Sequence, residues 1–286
     1  MRRRGRLALS MLLLALPRLV GAEQLPAIAI IIDDLGDRLG EGREAVELPG
    51  PVAMAFLPES HFTPRLAQAA RSAGKEVLLH LPLEPLRGRA HPMTISHTET
   101  TAQRDAMLLR ALAAVPFAQG VNNHQGSAMT ERRDEMDWLM GRLAGHGQLY
   151  FVDSYTSPLS VAYAAARDSG LPATRRQVFL DDSRQPAAIR QQFRRLVQLA
   201  RRSGSALAIG HPFRETLAVL REELPNLAAY GVRLAAPSEL ITLQQQRAAF
   251  RIAQIRLRLS MVLADPPPVP VPDESAAADT SAVSAN

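Results

Sequence analysis

The chain has 286 residues and a formal net charge of +5, with 47% hydrophobic and 21% charged residues. This is the composition of an ordinary globular protein, and it excludes disorder over the whole length and a many-span membrane protein. Cysteine is absent, which excludes disulfides, a thiolate nucleophile and cysteine-held zinc or iron–sulfur groups, so any transition-metal site must use imidazoles and carboxylates.

The N-terminus runs Met1-Arg2-Arg3-Arg4-Gly5-Arg6, then an apolar stretch from Leu7 to Leu16, then Val20-Gly21-Ala22. A basic segment, a short apolar segment and a small-x-small site predict a signal peptide over residues 1–22, cleaved after Ala22. The uninterrupted apolar run is about half of the ~20 residues a span requires. An exported, periplasmic protein is therefore expected. Residues 1–22 also hold five arginines and no acid, and the rest of the chain has 28 residues of each sign. The charge excess thus belongs to the leader, and no nucleic-acid partner is expected.

From Glu23 onward, short apolar runs alternate with helical patterns. The runs are Ala27–Ile32, Val52–Leu57, Glu76–Leu81, Gln119–Val121, Leu149–Val152, Gln177–Leu180 and Ala206–Ile209. Helices are predicted over His61–Ala73, Thr100–Val115, Arg132–Ala144, Pro158–Ser169, Pro186–Arg202 and Phe213–Glu223, with Thr63, Thr130 and Ser157 as start signals. Seven buried strands alternating with helices predict a parallel α/β fold, either a closed barrel or an open doubly wound sheet. A long helix follows over Ser238–Ala264. From Asp265, five prolines precede a Ser/Ala/Asp-rich run with four acids and no base, so residues 265–286 are expected to be a disordered acidic tail. The domain plan is a barrel over 23–245 and a helical extension over 246–264. The extension is expected to pack back on the domain, and is otherwise a candidate surface for an envelope protein partner or a membrane.

Six of the seven strands end in groups able to bind metal or move protons. These are Asp33-Asp34, His80, Asn122-Asn123-His124, Asp153-Ser154, Asp181-Asp182 and His211. In a parallel sheet such ends share one face, where α/β enzymes carry their chemistry. His80 and His124 are imidazole donors, and Asp33 or Asp34 is a hard anion. A His₂–Asp set with an open position suits a divalent ion, Zn²⁺ foremost, and activates water. A separate imidazole at His211 could protonate a leaving amine. Asn123, Asp153 and Ser154 are the expected substrate-facing residues. Asp181-Asp182 are read as a cap for the next helix, Arg175-Arg176 as a solvated face, and His91 and His97 as surface-loop residues. No phosphate-binding glycine loop and no G-x-S-x-G elbow occur.

The segments Ile-Ile-Asp-Asp-Leu-Gly (31–36), Leu-Leu-His-Leu-Pro-Leu-Glu-Pro (78–85), Gly-Val-Asn-Asn-His-Gln-Gly-Ser (120–127), Phe-Val-Asp-Ser (151–154), Val-Phe-Leu-Asp-Asp (178–182) and Ala-Ile-Gly-His-Pro (208–212) resemble the divergent polysaccharide deacetylases, exported bacterial relatives of the NodB-type carbohydrate esterases. The resemblance covers roughly residues 26–240. It implies a distorted (β/α) barrel of about seven parallel strands. It implies Asp33 as catalytic base, His211 as catalytic acid, and Asp34 as metal ligand beside His80 and His124. It also implies an acetylated glycan or peptidoglycan fragment as substrate. One departure is plain. Typical NodB-type enzymes draw both histidine ligands from one His-x-x-x-His motif, whereas Leu81, Pro82, Leu83 and Glu84 follow His80 here, so the second imidazole would be His124 on the next strand. Two other readings stand beside deacetylation: an inactive barrel that binds a glycan or a protein, and an envelope scaffold acting through the C-terminal helix and tail.

Overall fold

The computed structural model describes residues 25–264. The expected signal peptide and acidic tail lie outside the described residues. Nine short strands and eight α-helices alternate: β1 Ala27–Leu35, α1 Leu39–Val46, β2 Ala53–Phe56, α2 Thr63–Ser72, β3 Val77–Leu83, α3 Thr101–Ala114, β4 Ala118–Gln125, α4 Arg133–Gly145, β5 Tyr150–Asp153, α5 Ala162–Asp168, β6 Ala173–Arg175, β7 Val178–Phe179, α6 Pro186–Ser203, β8 Ser205–Gly210, α7 Arg214–Glu223, β9 Arg233–Leu234 and α8 Pro237–Ala264.

All pairings are parallel, in the order β6-β5-β4-β3-β2-β1-β8-β7, with β9 beside the start of β1. The two ends of this order, β6 and β7, are separated by Arg176 and Gln177 alone. Three residue steps span at most about 11 Å, so the sheet curls until its edges meet within one stretch of chain. The Arg176 amide donates to Asp153 O, and the next amide, Gln177, donates to Leu207 O. One split strand thus changes partner in mid-course and closes a distorted barrel. The predicted run Gln177–Leu180 is the second half of it; the first half, β6, escaped the sequence reading.

Strand alternation divides the core in two. Ile28, Ile30 and Ile32 face the helices, together with Met54, Phe56, Leu79, Val121 and Phe151. Ala29 and Ile31 face the lumen with Ala53, Ala55, Leu78, Val152, Leu207 and Ile209, and Leu240 and Ile241 of α8 fill it from the strands' N-terminal ends. Burial on both faces explains the unbroken apolar runs. The helices cover the outside through apolar stripes, as in α6, which buries Ile189, Phe193, Leu196, Val197 and Ala200 at helical spacing.

Three local expectations change. Helix α1 was not foreseen, because Gly40 and Gly42 lower its helical propensity; Gly42 is there because Leu66 of α2 packs where a Cβ would stand, 2.4 Å away. Thr63, Thr130 and Ser157 do not cap helices: their hydroxyls donate to Leu57 O, Gly126 O and Glu131 Oε1. The capping box belongs to α3, where Thr100 Oγ1 accepts from Gln103 N while Gln103 Oε1 accepts from Thr100 N.

Gly36 has φ 126°, and a Cβ there would stand 2.2 Å from Thr63 Oγ1 and 2.7 Å from Ser60 Cβ. The buried Thr63 hydroxyl is held by Leu57 O at 2.8 Å and cannot give way. Gly36→Ala is therefore expected to destabilise the fold by on the order of 2–5 kcal/mol, through backbone strain plus overpacking. A urea midpoint lowered at unchanged slope would confirm it; an unchanged midpoint would refute it.

A candidate metal centre at the barrel mouth

The lumen alternation continues to the strand ends. After Ala29 and Ile31 comes Asp33; after Leu78, His80; after Gly120, Asn122 and His124; after Tyr150 and Val152, Ser154; after Leu207 and Ile209, His211. His80 pairs with Asn122 in register across β3 and β4. Period two therefore aims most of the expected site residues at one mouth.

Asp34 breaks the period. Following Asp33 on a regular strand, its side chain would face the helices. It has φ 56° instead, and the β1–β2 register slips between Ile32 and Leu35. Aspartate tolerates this left-handed conformation better than most residues. The irregularity swings the Asp34 carboxylate back over the mouth, where Oδ1 lies 3.1 Å from His80 Nε2 and 3.0 Å from His124 Nδ1. The two imidazole nitrogens are 3.2 Å apart. Adjacent acids thus reach one site at different depths, with Asp33 at 3% exposure and Asp34 nearer solvent.

Asp34, His80 and His124 form a group whose donor atoms all lie within 4.8 Å of one another. Zinc–nitrogen bonds of ~2.0–2.1 Å set tetrahedral donors roughly 3.3 Å apart and octahedral ones roughly 3.0 Å. Separations of 3.0, 3.1 and 3.2 Å fit a small divalent ion. The supporting contacts fit as well. His80 Nδ1 lies 2.9 Å from Asn122 Oδ1, and Asn122 Nδ2 donates to Asp33 Oδ1 at 2.8 Å. The amide can accept only at its oxygen, so it fixes the Nδ1 proton of His80 and turns Nε2 toward the centre.

Electrostatics separate the two acids. Burial raises the Asp33 pKa and prevails over the opposing charges of His80 and His211. For Asp34, burial also pushes upward, but the hydrogen bonds and charges of His124 and His80 prevail and hold it well below the usual carboxylate range. Burial disfavours the His80 imidazolium, yet Asp33 and Asp34 carry its pKa up to about 9. The pair is divided into a more basic carboxyl, Asp33, and a firmly ionised one, Asp34.

His211 stands at the opposite rim, with Nε2 3.7 Å from Asp34 Oδ2. Asp181 holds it: Nδ1 is 3.0 Å from Asp181 Oδ1, and the His211 amide donates to Asp181 Oδ2 at 2.6 Å. The Thr216 hydroxyl donates to the same oxygen at 2.7 Å. Asp181 therefore positions His211 and does not cap α6. Arg176, expected on a solvated face, is half-buried at the mouth and donates to Ser154 O and Tyr155 O at 2.6 and 2.8 Å. Asn122, Asp181 and Arg176 are the site residues whose roles sequence reasoning missed.

The expected substrate-facing residues divide. Asn123 and Ser154 line the mouth cavity of about 440 Å³, and Asn123 Oδ1 accepts from the Ser154 amide. Asp153 does not line it. It lies on the opposite strand face, fully buried, and its carboxylate accepts from Tyr155 N and Ser160 Oγ, a turn-forming role. His97 is tied to Glu84 at 2.6 Å, and the His91 ring lies 5.9 Å from that of His124, so the 86–98 loop reaches the rim of the site. A side chamber of about 230 Å³ shares Asp34 and His211 with the mouth and adds Arg184, stacked 3.5 Å over Phe213. A larger cavity of about 620 Å³ lies at the strands' other ends, where Tyr150 Oη and Ser238 Oγ both donate to Glu76.

Comparison with known proteins agrees with this architecture. The uncharacterized protein YibQ of Escherichia coli strain K12 is 39% identical over 227 residues, 79% of this chain and 69% of that one. An uncharacterized protein of Haemophilus influenzae is 36% identical over 201 residues, covering 70% of this chain and 71% of its own. The uncharacterized protein ATU2773 from Agrobacterium tumefaciens C58, a solved structure, matches with a TM-score of 0.73 at 25% identity, over 77% of this chain and 90% of that one. The family model described as divergent polysaccharide deacetylase matches residues 30–241, and the chain belongs to that family.

Proposed function

We propose that this protein is an exported, metal-dependent hydrolase that removes N-acetyl or O-acetyl groups from an envelope glycan, with peptidoglycan fragments or related acetylated saccharides as substrates. The observation that carries the reading is the convergence of Asp34, His80 and His124, with Asp33 and His211 on either side. A divalent ion held by those three side chains, zinc by the donor set, would supply polarisation of the acyl carbonyl and acidification of water.

The chain's own groups supply the proton transfers. Asp33, desolvated and held by Asn122, takes the proton of the attacking water. The new bond forms at the acyl carbon, and the carbon–nitrogen (or ester carbon–oxygen) bond breaks. His211, held through Nδ1 by Asp181, delivers a proton from Nε2 to the leaving nitrogen or oxygen. Arg176, Asn123 and Ser154 shape the cavity for the sugar.

The absent His-x-x-x-His motif motivated a binding-only reading. Against it stands the second imidazole that β4 brings to the site, with the His80 and His124 ring centroids 4.9 Å apart. The Asp33–Asn122–His80 chain and the Asp181–His211 pair also support the catalytic reading. The test is metal analysis of the purified protein together with acetate release from chitin oligomers and peptidoglycan. One divalent ion per chain is expected, with acetate release that stops on chelation and returns with zinc. His124→Ala, at a partly exposed position, is expected to lose both the ion and the activity while staying folded. A folded wild-type protein that takes up no divalent ion overturns the proposal.

A further inference from the structure

Helix α8 runs for 28 residues, about 42 Å. Its first turns belong to the barrel: Leu240 and Ile241 plug the lumen, and Gln244 Nε2 donates to Ser205 Oγ at the start of β8. Beyond Arg247 it leaves the body instead of packing back on it as expected, and every residue from Ala248 to Ser260 is exposed. Phe250, Ile252, Ile255, Leu257 and Leu259 lie between 52% and 64% exposed. Five large apolar side chains in ten residues of free helix imply a covering surface.

The helix surface has one polar stripe. Arg247, Arg251, Gln254 and Arg258 follow at i, i+4, i+7 and i+11, hence on a single line. To one side lie Ala248, Ile252, Ile255 and Leu259, and to the other Phe250, Ala253 and Leu257. Outside the stripe only Arg256 and Ser260 are polar; they fall opposite it, between the two apolar lines, where the arginine stem can lie along apolar surface with its charge directed outward. A two-stranded coiled coil would cover one apolar line and leave the other in water. Two apolar lines flanking a basic stripe suit the interface of a bilayer, which can cover both. Among the described residues no helix is long and apolar enough to cross a membrane. Charge identifies the kind of bilayer. Residues 240–264 contain four arginines and no acid, which favours an anionic one.

We infer that residues 248–264 of α8 lie on an anionic phospholipid surface and tether the barrel to it. The helix departs from the N-terminal ends of the strands, where β9 pairs with Ala27 and Ile28. The metal-binding side chains are at the opposite ends. The tether therefore holds the barrel by its base and leaves the mouth open away from the lipid.

The test uses residues 23–286, which omit the apolar leader, in sedimentation with vesicles of phosphatidylcholine alone or mixed with phosphatidylglycerol. Binding is expected to the phosphatidylglycerol vesicles, weakening with salt, and not to phosphatidylcholine alone. Arg251→Gln with Arg258→Gln is expected to weaken it by about 25-fold, near fivefold for each charge removed. Ile255→Asp with Leu257→Asp is expected to abolish it. All four positions are exposed, so the thermal midpoint should not move, and Ile241→Asp serves as the contrast that does unfold the barrel. No binding to anionic vesicles, equal binding to both kinds, or a stable dimer that the Ile255/Leu257 variant dissolves would each overturn the inference, the last in favour of a second copy of the chain.

Discussion

Asp33→Asn is expected to lower the kcat for acetate release by about 10²–10⁴-fold while leaving the bound ion in place. The substitution keeps side-chain volume and the acceptor for Asn122 Nδ2, so the 2.8 Å hydrogen bond survives. It removes the one basic carboxyl that stands beside the three converging donors without being one of them, with Oδ2 3.6 Å from His80 Nε2. The loss corresponds to about 3–5 kcal/mol of transition-state stabilisation. KM should move little, because no substrate-binding contact is deleted. Two measurements decide the matter together: ion content and single-substrate kinetics. Loss of the ion along with activity would make Asp33 a ligand. Retention of activity within tenfold would exclude it as the base.

That assignment depends on which of two adjacent acids faces inward, and the sequence could show only part of this. Asp33 belongs to the lumen because Ala29 and Ile31 do, a period-two inference available from the run Ala27–Ile32 once one face is known. The same rule, applied alone, sends Asp34 to the helix side. Its position over the mouth needs a positive φ and a slipped register, which no residue pattern announces. His124 was within reach of sequence reasoning, since Gly120, Asn122 and His124 share a face. Asn122 was within reach for the same reason, but its neighbour Asn123 was preferred. Asp153 misled because a carboxylate at a strand end can face either way, and here the turn to Tyr155 and Ser160 claims it.

The fold was legible where burial is two-sided and obscure where strands are short. β6 has three residues and β9 has two, too few for any periodicity. Nothing local marks the exchange of partners between Arg176 and Gln177, because the stretch from Ala173 to Leu180 reads as one extended segment. That exchange puts Arg176 at the mouth and delivers Asp181 to His211. Arg176 reads as a solvated side chain in the sequence because arginine supplies nearly every base in this chain, with Lys75 the only lysine. A uniform background of arginine hides the one that burial selects.

Asp181→Asn is expected to cost roughly 10²–10⁴ in kcat and to move the alkaline limb of the pH–rate profile to lower pH. Asp181 accepts three hydrogen bonds, from His211 Nδ1, the His211 amide and Thr216 Oγ1. An asparagine offers one oxygen and two N–H donors to three donors, so at least one buried contact becomes repulsive. The imidazole then lacks the anionic partner that favours its doubly protonated form, and it is free to rotate away. Burial opposes the charged form of His211, but the hydrogen bond and charge of Asp181, joined by Asp33 and Asp34, raise its pKa above 6.5. A proton donor must be protonated to act, so activity falls as pH rises through that raised value. Without the Asp181 charge the fall begins at lower pH. Stability follows the same sign. A pKa raised by folding contributes stability that is complete below the unfolded value and is lost as pH rises through the folded one. The gap in thermal midpoint between wild type and Asp181→Asn should therefore be widest below pH 6.5 and narrow on the alkaline side. A variant with wild-type limbs in its pH profile would show that Asp181 supports only the loop, and a gap that widens with pH would reverse the electrostatic assignment.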